Sequence, residues 1–350
     1  MTNNPYTVVG AGAIGGTLAA HLHAQGVPVQ VVDADARHVD AIKRNGLQIK
    51  GPSGVLVAHV PAYTPDEAPD QLGRVLLAVK AQATYKAAAW IAPRLSSDGY
   101  VASMQNGLNE ATIAAHVGAD RTVIAFVDLF ADVLEPGVIS DGGIGAMALG
   151  EYAGKVSDRV RQLAEDLRHW GTATVTDNVP GFLWSKLGFG AMLTATALAD
   201  ADMSELIDRH RPAMNELAAE VFDVASAEGI RLEAFDAFDP ARFLRAADPA
   251  KNAEAIDDLV KWLSTQTKTR SGIWRDIAVR HRTTEVPTQY EPVIDVAARH
   301  GLKLPLIEDL VAVIRKLETG AIAMDEEHLA HLDREATAAV NAAGKKESAA

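Results

Sequence analysis

The chain contains no cysteine. That absence excludes a disulfide scaffold, an iron–sulfur cluster, a thiolate zinc site and a cysteine nucleophile. It leaves the redox compartment open, because a chain without thiols can fold in any. Basic residues are in deficit, with 33 Lys and Arg against 46 Asp and Glu and a formal charge of -13. So acidic a chain lacks the basic face that sequence-independent nucleic-acid binding or attachment to an anionic membrane requires, and neither partner is expected. Long apolar runs are missing too. The best stretch, 187–199, is broken by glycine and threonine and falls short of the about 20 residues that span a bilayer. The opening MTNNPYTVVGAG has neither the basic start nor the apolar stretch of a secretory signal. A soluble, cytoplasmic protein is the expectation. The 11 histidines include no HExxH, and the His21/His23 spacing suits no helical metal face, so no metal is expected.

What is present describes an ordinary globular protein, 48% hydrophobic and 23% charged. At roughly 100–200 residues per domain, 350 residues make two domains. The first half alternates strand candidates (7–9, 27–32, 74–79, 100–104, 121–127) with helical patterns (14–25, 37–44, 84–95, 109–116). Such alternation implies βαβ units in an open, doubly wound parallel sheet of the α/β class. A Gly-punctuated β excursion over 134–150 and a helix over 156–170 follow. Beyond Asn178 strand-like runs vanish, and helical patterns cover 180–198, 212–228, 250–267, 287–300 and 305–317, several opening on proline. The division is therefore a nucleotide-binding domain over 1–178, an all-α domain over 179–340, and a disordered tail over 341–350. A homodimer, the commonest symmetric state, is the expected assembly.

Gly10-Ala11-Gly12-Ala13-Ile14-Gly15 is a G-x-G-x-x-G placed after a strand and opening a helix. Its glycines permit the tight turn, the approach of backbone to a pyrophosphate, and close packing of helix on sheet. The helix N-terminus supplies N–H groups and a positive dipole end to the phosphates. The second strand ends VVDAD, which puts Asp33 where a carboxylate accepts the adenosine ribose hydroxyls and repels a 2′-phosphate. NAD is favoured over NADP on that ground, although Arg37 is near enough to readmit the phosphate. Asp33 could instead cap the following helix.

Ligands of open α/β sheets bind beyond the carboxyl ends of the strands. That rule brings Lys80, after the strand 74–79, and Gln105-Asn106-Gly107, after the strand 100–104, into the cofactor region. Asn106 could hydrogen-bond substrate or the nicotinamide ribose, or simply make an Asn-Gly turn. Lys186 is the only charge between Asp177 and Asp200, among Trp184, Leu187, Phe189 and Met192. It either snorkels to the surface or stands in a dry cleft, where proton exchange is plausible. Glu285, at the mouth of a helix, is either a dipole-satisfying carboxylate or a functional acid. Asp276 is similarly ambiguous.

Taken together, GAGAIGG, AVKA at Val79–Lys80, QNG at Gln105–Gly107, LWSKL around Lys186 and RDI…TTEV ending at Glu285 resemble the ketopantoate reductase family, the 2-dehydropantoate 2-reductases. The likeness runs over nearly the whole chain. It implies a Rossmann domain followed by a helical domain, and reduction of a 2-oxo acid with a nicotinamide cofactor. It also implies Lys186 as the general acid, Glu285 as its partner in the substrate and proton network, and Lys80 and Asn106 as organisers of the cofactor and reacting centre.

The departures are equally informative. The family carries asparagines four and eight residues after its lysine, where this chain has Gly190 and Thr194. Its carboxylate-holding serine falls at Gly272, next to Ser271. The expected substrate is therefore a small 2-oxo or 2-hydroxy acid, or a related alcohol, bulkier or less polar than ketopantoate, with Trp274 and Trp184 lining the space. Authentic 2-dehydropantoate 2-reductase activity is the first alternative, and a non-catalytic dinucleotide-binding sensor the second.

Overall fold

The computed structural model describes residues 4–52, 54–143, 145–266 and 268–347. The chain separates into two compact units after Val179.

The first unit opens with β1 (Tyr6–Val9), α1 (Ala13–Ala24), β2 (Val29–Val32) and α2 (Ala36–Asn45). Three strands follow, β3 (Leu47–Gly51), β4 (Gly54–Ala58) and β5 (Ala62–Tyr63). The chain continues through β6 (Leu72–Leu77), α3 (Thr84–Ile91), β7 (Leu95–Ser103), α4 (Glu110–Val117) and β8 (Thr122–Asp128). It closes with β9 (Ala131–Glu135), β10 (Val138–Asp141), β11 (Gly145–Glu151), α5 (Asp158–Leu167) and β12 (Gly171–Val175).

The eight-stranded sheet has the order β12-β11-β8-β7-β6-β1-β2-β5. From β5 to β8 every neighbouring pair is parallel. Those six strands follow the doubly wound dinucleotide-binding order, with the switch point between β1 and β6. The expected parallel sheet needs one correction, because β11 runs antiparallel to β8 and carries β12 with it. Side chains alternate across the sheet as the strand period requires. Val8, Val31 and Leu76 face Leu18 and Leu22 of α1 and Leu163 of α5, whereas Val9, Val32 and Val75 face Ile91 of α3 and Ile113 of α4.

A second sheet, β4-β3-β10-β9, covers α1 from outside. Its centre is the parallel pairing of β3 with β10. Sequence patterning shows only the 134–150 half of it. The strand read as 74–79 ends at Leu77, so Lys80 stands beyond a short loop and opens a 3-10 turn at Ala81–Ala83.

The second unit contains α6 (Val179–Ala195), α7 (Met203–Arg209), α8 (Arg211–Ala227), α9 (Pro249–Ser264), α10 (Gly272–Ala278), α11 (Val286–Arg299), α12 (Pro305–Glu318) and α13 (Glu327–Glu347). Where a frayed tail is expected from Asn341, α13 continues as far as Glu347, and the last three residues lie outside the described ones. No single described helix is long and apolar enough to cross a membrane.

α6 is the core helix. A Cβ on Gly188 would lie 2.3 Å from the Phe222 ring, so glycine there lets α6 and α8 close on each other. Phe189 packs on Phe238 at 5.1 Å between ring centroids, and Phe238 stacks on Phe243 at 4.8 Å.

Glu220 on α8 is buried and accepts the Leu306 and Ile307 N–H groups at 3.0 and 2.9 Å, capping α12 from another helix. Burial outweighs those bonds and pushes its carboxyl up to about 7 from 4.5. A carboxyl raised on folding stabilises fully below its unfolded pKa and loses that contribution as pH rises through the folded one. Between pH 4.5 and 8 the unfolding free energy should fall by about 3 kcal/mol on this account. Denaturant titrations across that range test it: Glu220→Gln should flatten the profile, and parallel profiles for the two proteins would refute the assignment.

Candidate active site

In the first unit the glycine loop is built from both sides of the switch point. Gly10 has φ +94°, and a Cβ on it would sit 2.7 Å from the Val79 N, so the turn after β1 lies against the loop after β6. A Cβ on Gly15 would come within 2.0 Å of the Gly10 carbonyl oxygen. Gly12 differs, for a Cβ there would meet nothing within 4 Å. It is the N-cap of α1, makes no side-chain cap, and is followed by no acidic residue in the first turn. The first N–H groups of a helix have no acceptor within it. An open space over such donors, with no acidic side chain in the first turn of the helix, fits the pyrophosphate of a dinucleotide.

Asp33, at the end of β2, is tied to this loop. The Ala11 N–H donates to its Oδ2 at 2.8 Å, and the Asp35 N–H donates to its Oδ1 at 2.9 Å. An ionised carboxylate has about four acceptor positions, so two remain for ribose hydroxyls. The cap of α2 is Asp35, which accepts the Arg37 N–H at 3.0 Å. Arg37 pairs with that same Asp35 and lowers its pKa.

His38 escaped the sequence reading. Its Nδ1 accepts the Gly137 N–H at 3.1 Å, which leaves the proton on Nε2 to donate to the Ala11 carbonyl at 2.9 Å. A buried histidine thus pins the glycine loop to the β9–β10 turn. Nothing in a lone helical histidine signals that role.

The QNG segment divides its labour. Gln105 is buried and donates from Nε2 to the Val79 carbonyl at 2.9 Å and to the Thr84 Oγ1 at 2.7 Å. Thr84 in turn donates to the Asn109 Oδ1 at 3.1 Å, and Asn109 donates to the Asn106 carbonyl at 2.7 Å. This chain locks the loop after β6 to the loop after β7. Asn106 and Lys80 are both exposed, and Gly107 has the φ of +82° that favours glycine.

In the second unit, α6 presents one half-open face. Phe182, Lys186, Gly190 and Leu193 are half-buried, at helical spacing, while the residues between them are buried. Lys186 is the only charged side chain of the helix. Behind Gly190 stands Tyr290 of α11, fully buried, with its hydroxyl donating to the Leu187 carbonyl at 2.9 Å. Thr194 is buried and its side chain hydrogen-bonds the Tyr290 oxygen; burial still raises the phenol well above its usual range.

Glu285 precedes α11 and makes no capping bond. That duty falls to Thr284, whose hydroxyl accepts the Val286 N–H at 3.2 Å while donating to Glu318 at 2.6 Å. Asp276 is buried and structural: it receives Arg280 at 3.0 Å and Arg282 at 2.8 Å, folding the loop in which His281 adopts φ +48°. Ser271 caps α10 by accepting the Trp274 N–H at 3.1 Å. Gly272 is exposed, and a Cβ on it would lie 3.8 Å from the Lys268 Nζ, a cation the sequence reading did not single out. The Trp274 ring is half-buried, with a buried indole N–H that has no acceptor among the described residues. Trp184 is buried.

Two family models match the chain, that of ketopantoate reductase PanE/ApbA over residues 6–154 and that of its C-terminal domain over residues 178–318. The chain belongs to the ketopantoate reductase family. It is similar to the 2-dehydropantoate 2-reductase of Halobacterium salinarum, 25% identical over 88% of this chain and 97% of that one. The enzyme of the same name from Mesorhizobium japonicum is 32% identical over 52% of this chain and 62% of that one. Among solved structures, a D-mandelate dehydrogenase with NADH and anilino(oxo)acetate superposes with TM-score 0.77 at 23% identity, covering 90% of this chain and 98% of that one. A PanE/ApbA family ketopantoate reductase from Ralstonia eutropha does so with TM-score 0.75 at 24% identity, covering 90% and 99%. Family membership makes the chain an NAD(P)-dependent oxidoreductase acting on a CH–OH group.

Proposed function

We propose that this oxidoreductase interconverts a small 2-oxo acid and its 2-hydroxy acid, or a related alcohol, with Lys186 as general acid and base. The observation that carries the reading is the single ionisable side chain on the half-open face of an otherwise apolar, buried helix. When bound, the nicotinamide supplies the hydride in the reductive direction and takes it in the oxidative one. Lys186 donates a proton to the carbonyl oxygen as negative charge gathers there, and its neutral amine removes the hydroxyl proton in reverse. Glu285, relieved of capping by Thr284, joins the proton network. Lys80 and Asn106, on loops locked together through Gln105, orient the cofactor.

Lys268 takes over the carboxylate from the serine that Gly272 replaces. A charge-assisted hydrogen bond is worth about 1.5–3 kcal/mol, so Lys268→Met should raise KM for oxo acids by about tenfold or more, with less effect on kcat. A KM within twofold of wild type would remove Lys268 from the site. Asp33 favours NAD, since a 2′-phosphate would meet its carboxylate and Arg37 is engaged by Asp35.

A panel of 2-oxo and 2-hydroxy acids, followed by NADH and NADPH absorbance in both directions, tests the whole reading. Turnover of at least one acid, with higher kcat/KM for the NAD couple, is expected. Cofactor binding without turnover of any panel member would overturn the proposed substrate class. The second reading, 2-dehydropantoate 2-reductase activity, is favoured by the names of the curated relatives. It predicts that ketopantoate is the best substrate of the panel.

A further inference from the structure

We infer that Gly190, Tyr290 and Thr194 form a notch beside Lys186 that selects acids bearing a bulky apolar group next to the reacting carbon, branched aliphatic or aromatic. The inference rests on the reaction proposed above and specifies its substrate.

On a helix, residues four apart are neighbours on one face, and side chains lean toward the N-terminus. A group at position 190 would therefore project over the turn that carries Lys186. There is no side chain at that position, and a Cβ would find only the Tyr290 Oη, at 3.1 Å, within 4 Å. The rest of the open face is apolar, with Phe182 one turn before Lys186 and Leu193 beyond Gly190. Glycine inside a helix costs about 1 kcal/mol relative to alanine. At Gly188 the Phe222 ring fills the space, whereas at Gly190 the Tyr290 hydroxyl alone approaches, at 3.1 Å, a tight contact on one side with no other side chain within 4 Å.

The polar atoms at the back of the notch have their protons turned inward. The Tyr290 hydroxyl proton lies on the Leu187 carbonyl. With its own proton on that carbonyl, the Tyr290 oxygen can only accept in its hydrogen bond with the Thr194 hydroxyl. A phenol has one proton to donate, and so has a threonine hydroxyl. The notch thus offers no donor: its open side admits an apolar group and gives nothing to a substrate hydroxyl that needs a partner. A hydrophobic pocket separates substrates differing by a methylene by about 10–200-fold, which sets the scale of the expected preference.

The test compares kcat/KM for pyruvate, ketopantoate, 4-methyl-2-oxopentanoate and phenylglyoxylate in the full-length protein with NADH. Wild type should favour the last two over pyruvate by tenfold or more. Gly190→Ala, which puts a methyl in the notch, should lower the phenylglyoxylate-to-pyruvate ratio at least tenfold. In a Tyr290→Phe background the methyl meets no hydroxyl, and the same Gly190→Ala change should again lower the ratio; that second pair carries the measurement if Gly190→Ala alone fails to fold. A ratio unchanged within twofold in both backgrounds overturns the inference, as does a wild-type preference for pyruvate or ketopantoate. Either result leaves the reaction class standing, whereas failure to reduce any of the four acids while NADH binds takes down both.

Discussion

Lys186→Ala should lower kcat on the identified substrate by about 10²–10⁴-fold, the usual contribution of a positioned general acid or base. No neighbour on its own helix can substitute, because α6 carries no other ionisable residue and the chain has no cysteine. KM should move far less, since the carboxylate is assigned to Lys268 and the side chain of the acid to the Gly190 notch. Two further variants separate proton transfer from charge. Lys186→Arg keeps a cation, but a guanidinium does not give up its proton in proteins, so this variant should stay nearly as slow as the alanine one, above all in the oxidative direction. Added methylamine should restore part of the rate to Lys186→Ala, because the side chain leaves room for a small amine in its place. The loss should appear as kcat in both directions with NADH binding unchanged, as expected for a residue outside the cofactor unit. A kcat within tenfold of wild type would end the assignment.

What could be read from the chain alone divides along a physical line. The glycine loop was legible because its constraints are local: a turn, a helix start and a close approach all fall within Gly10–Gly15. Asp33 was legible by its distance along the chain from that loop, and Lys186 by contrast with apolar surroundings that are sequence neighbours. The second sheet was not, because β3 pairs with β10 across half the length of the first unit, and neither strand's pattern names its partner. α7 and α10, at seven residues each, are too short for helical periodicity to show. Past Asn341 fraying is the expectation for a chain terminus, whereas α13 continues as far as Glu347. At the site, the residues missed are those defined by their opposite number in space. Gln105 was seen as part of a motif, yet its contacts with Val79 and Thr84 are tertiary. Tyr290 reads as an ordinary core aromatic at the start of a helix until Gly190 is found in front of its hydroxyl. Family likeness suggests the role proposed for Lys186, which periodicity leaves open between surface and cleft. The structure places that side chain, half-buried, on the half-open face of α6.

Gly12→Val should abolish cofactor binding while leaving the fold intact, which no other substitution in the glycine loop is expected to do. The three motif glycines face different obstacles. A methyl at Gly15 would lie 2.0 Å from the Gly10 carbonyl oxygen, and one at Gly10 would meet the Val79 backbone at 2.7 Å with φ at +94°, so both changes should destabilise the first unit whether or not it binds anything. Gly12 has φ -68°, a value any residue adopts, and open space where its side chain would be. A Cβ there meets no other atom within 4 Å, and the valine projects into the volume over the α1 N-terminus that the pyrophosphate needs. Displacing the phosphates from those N–H groups forfeits charge-assisted hydrogen bonds of about 1.5–3 kcal/mol each and up to about 2 kcal/mol of helix-dipole attraction. Together these amount to a loss of about 10²–10³-fold in NADH affinity, at about 1.4 kcal/mol per decade. Thermal melts without cofactor should coincide for Gly12→Val and wild type, and only wild type should gain Tm when NADH is added. If the variant bound NADH within threefold of wild type, the dinucleotide would have to lie elsewhere on the sheet, and Asp33 and Lys80 would lose their roles with it.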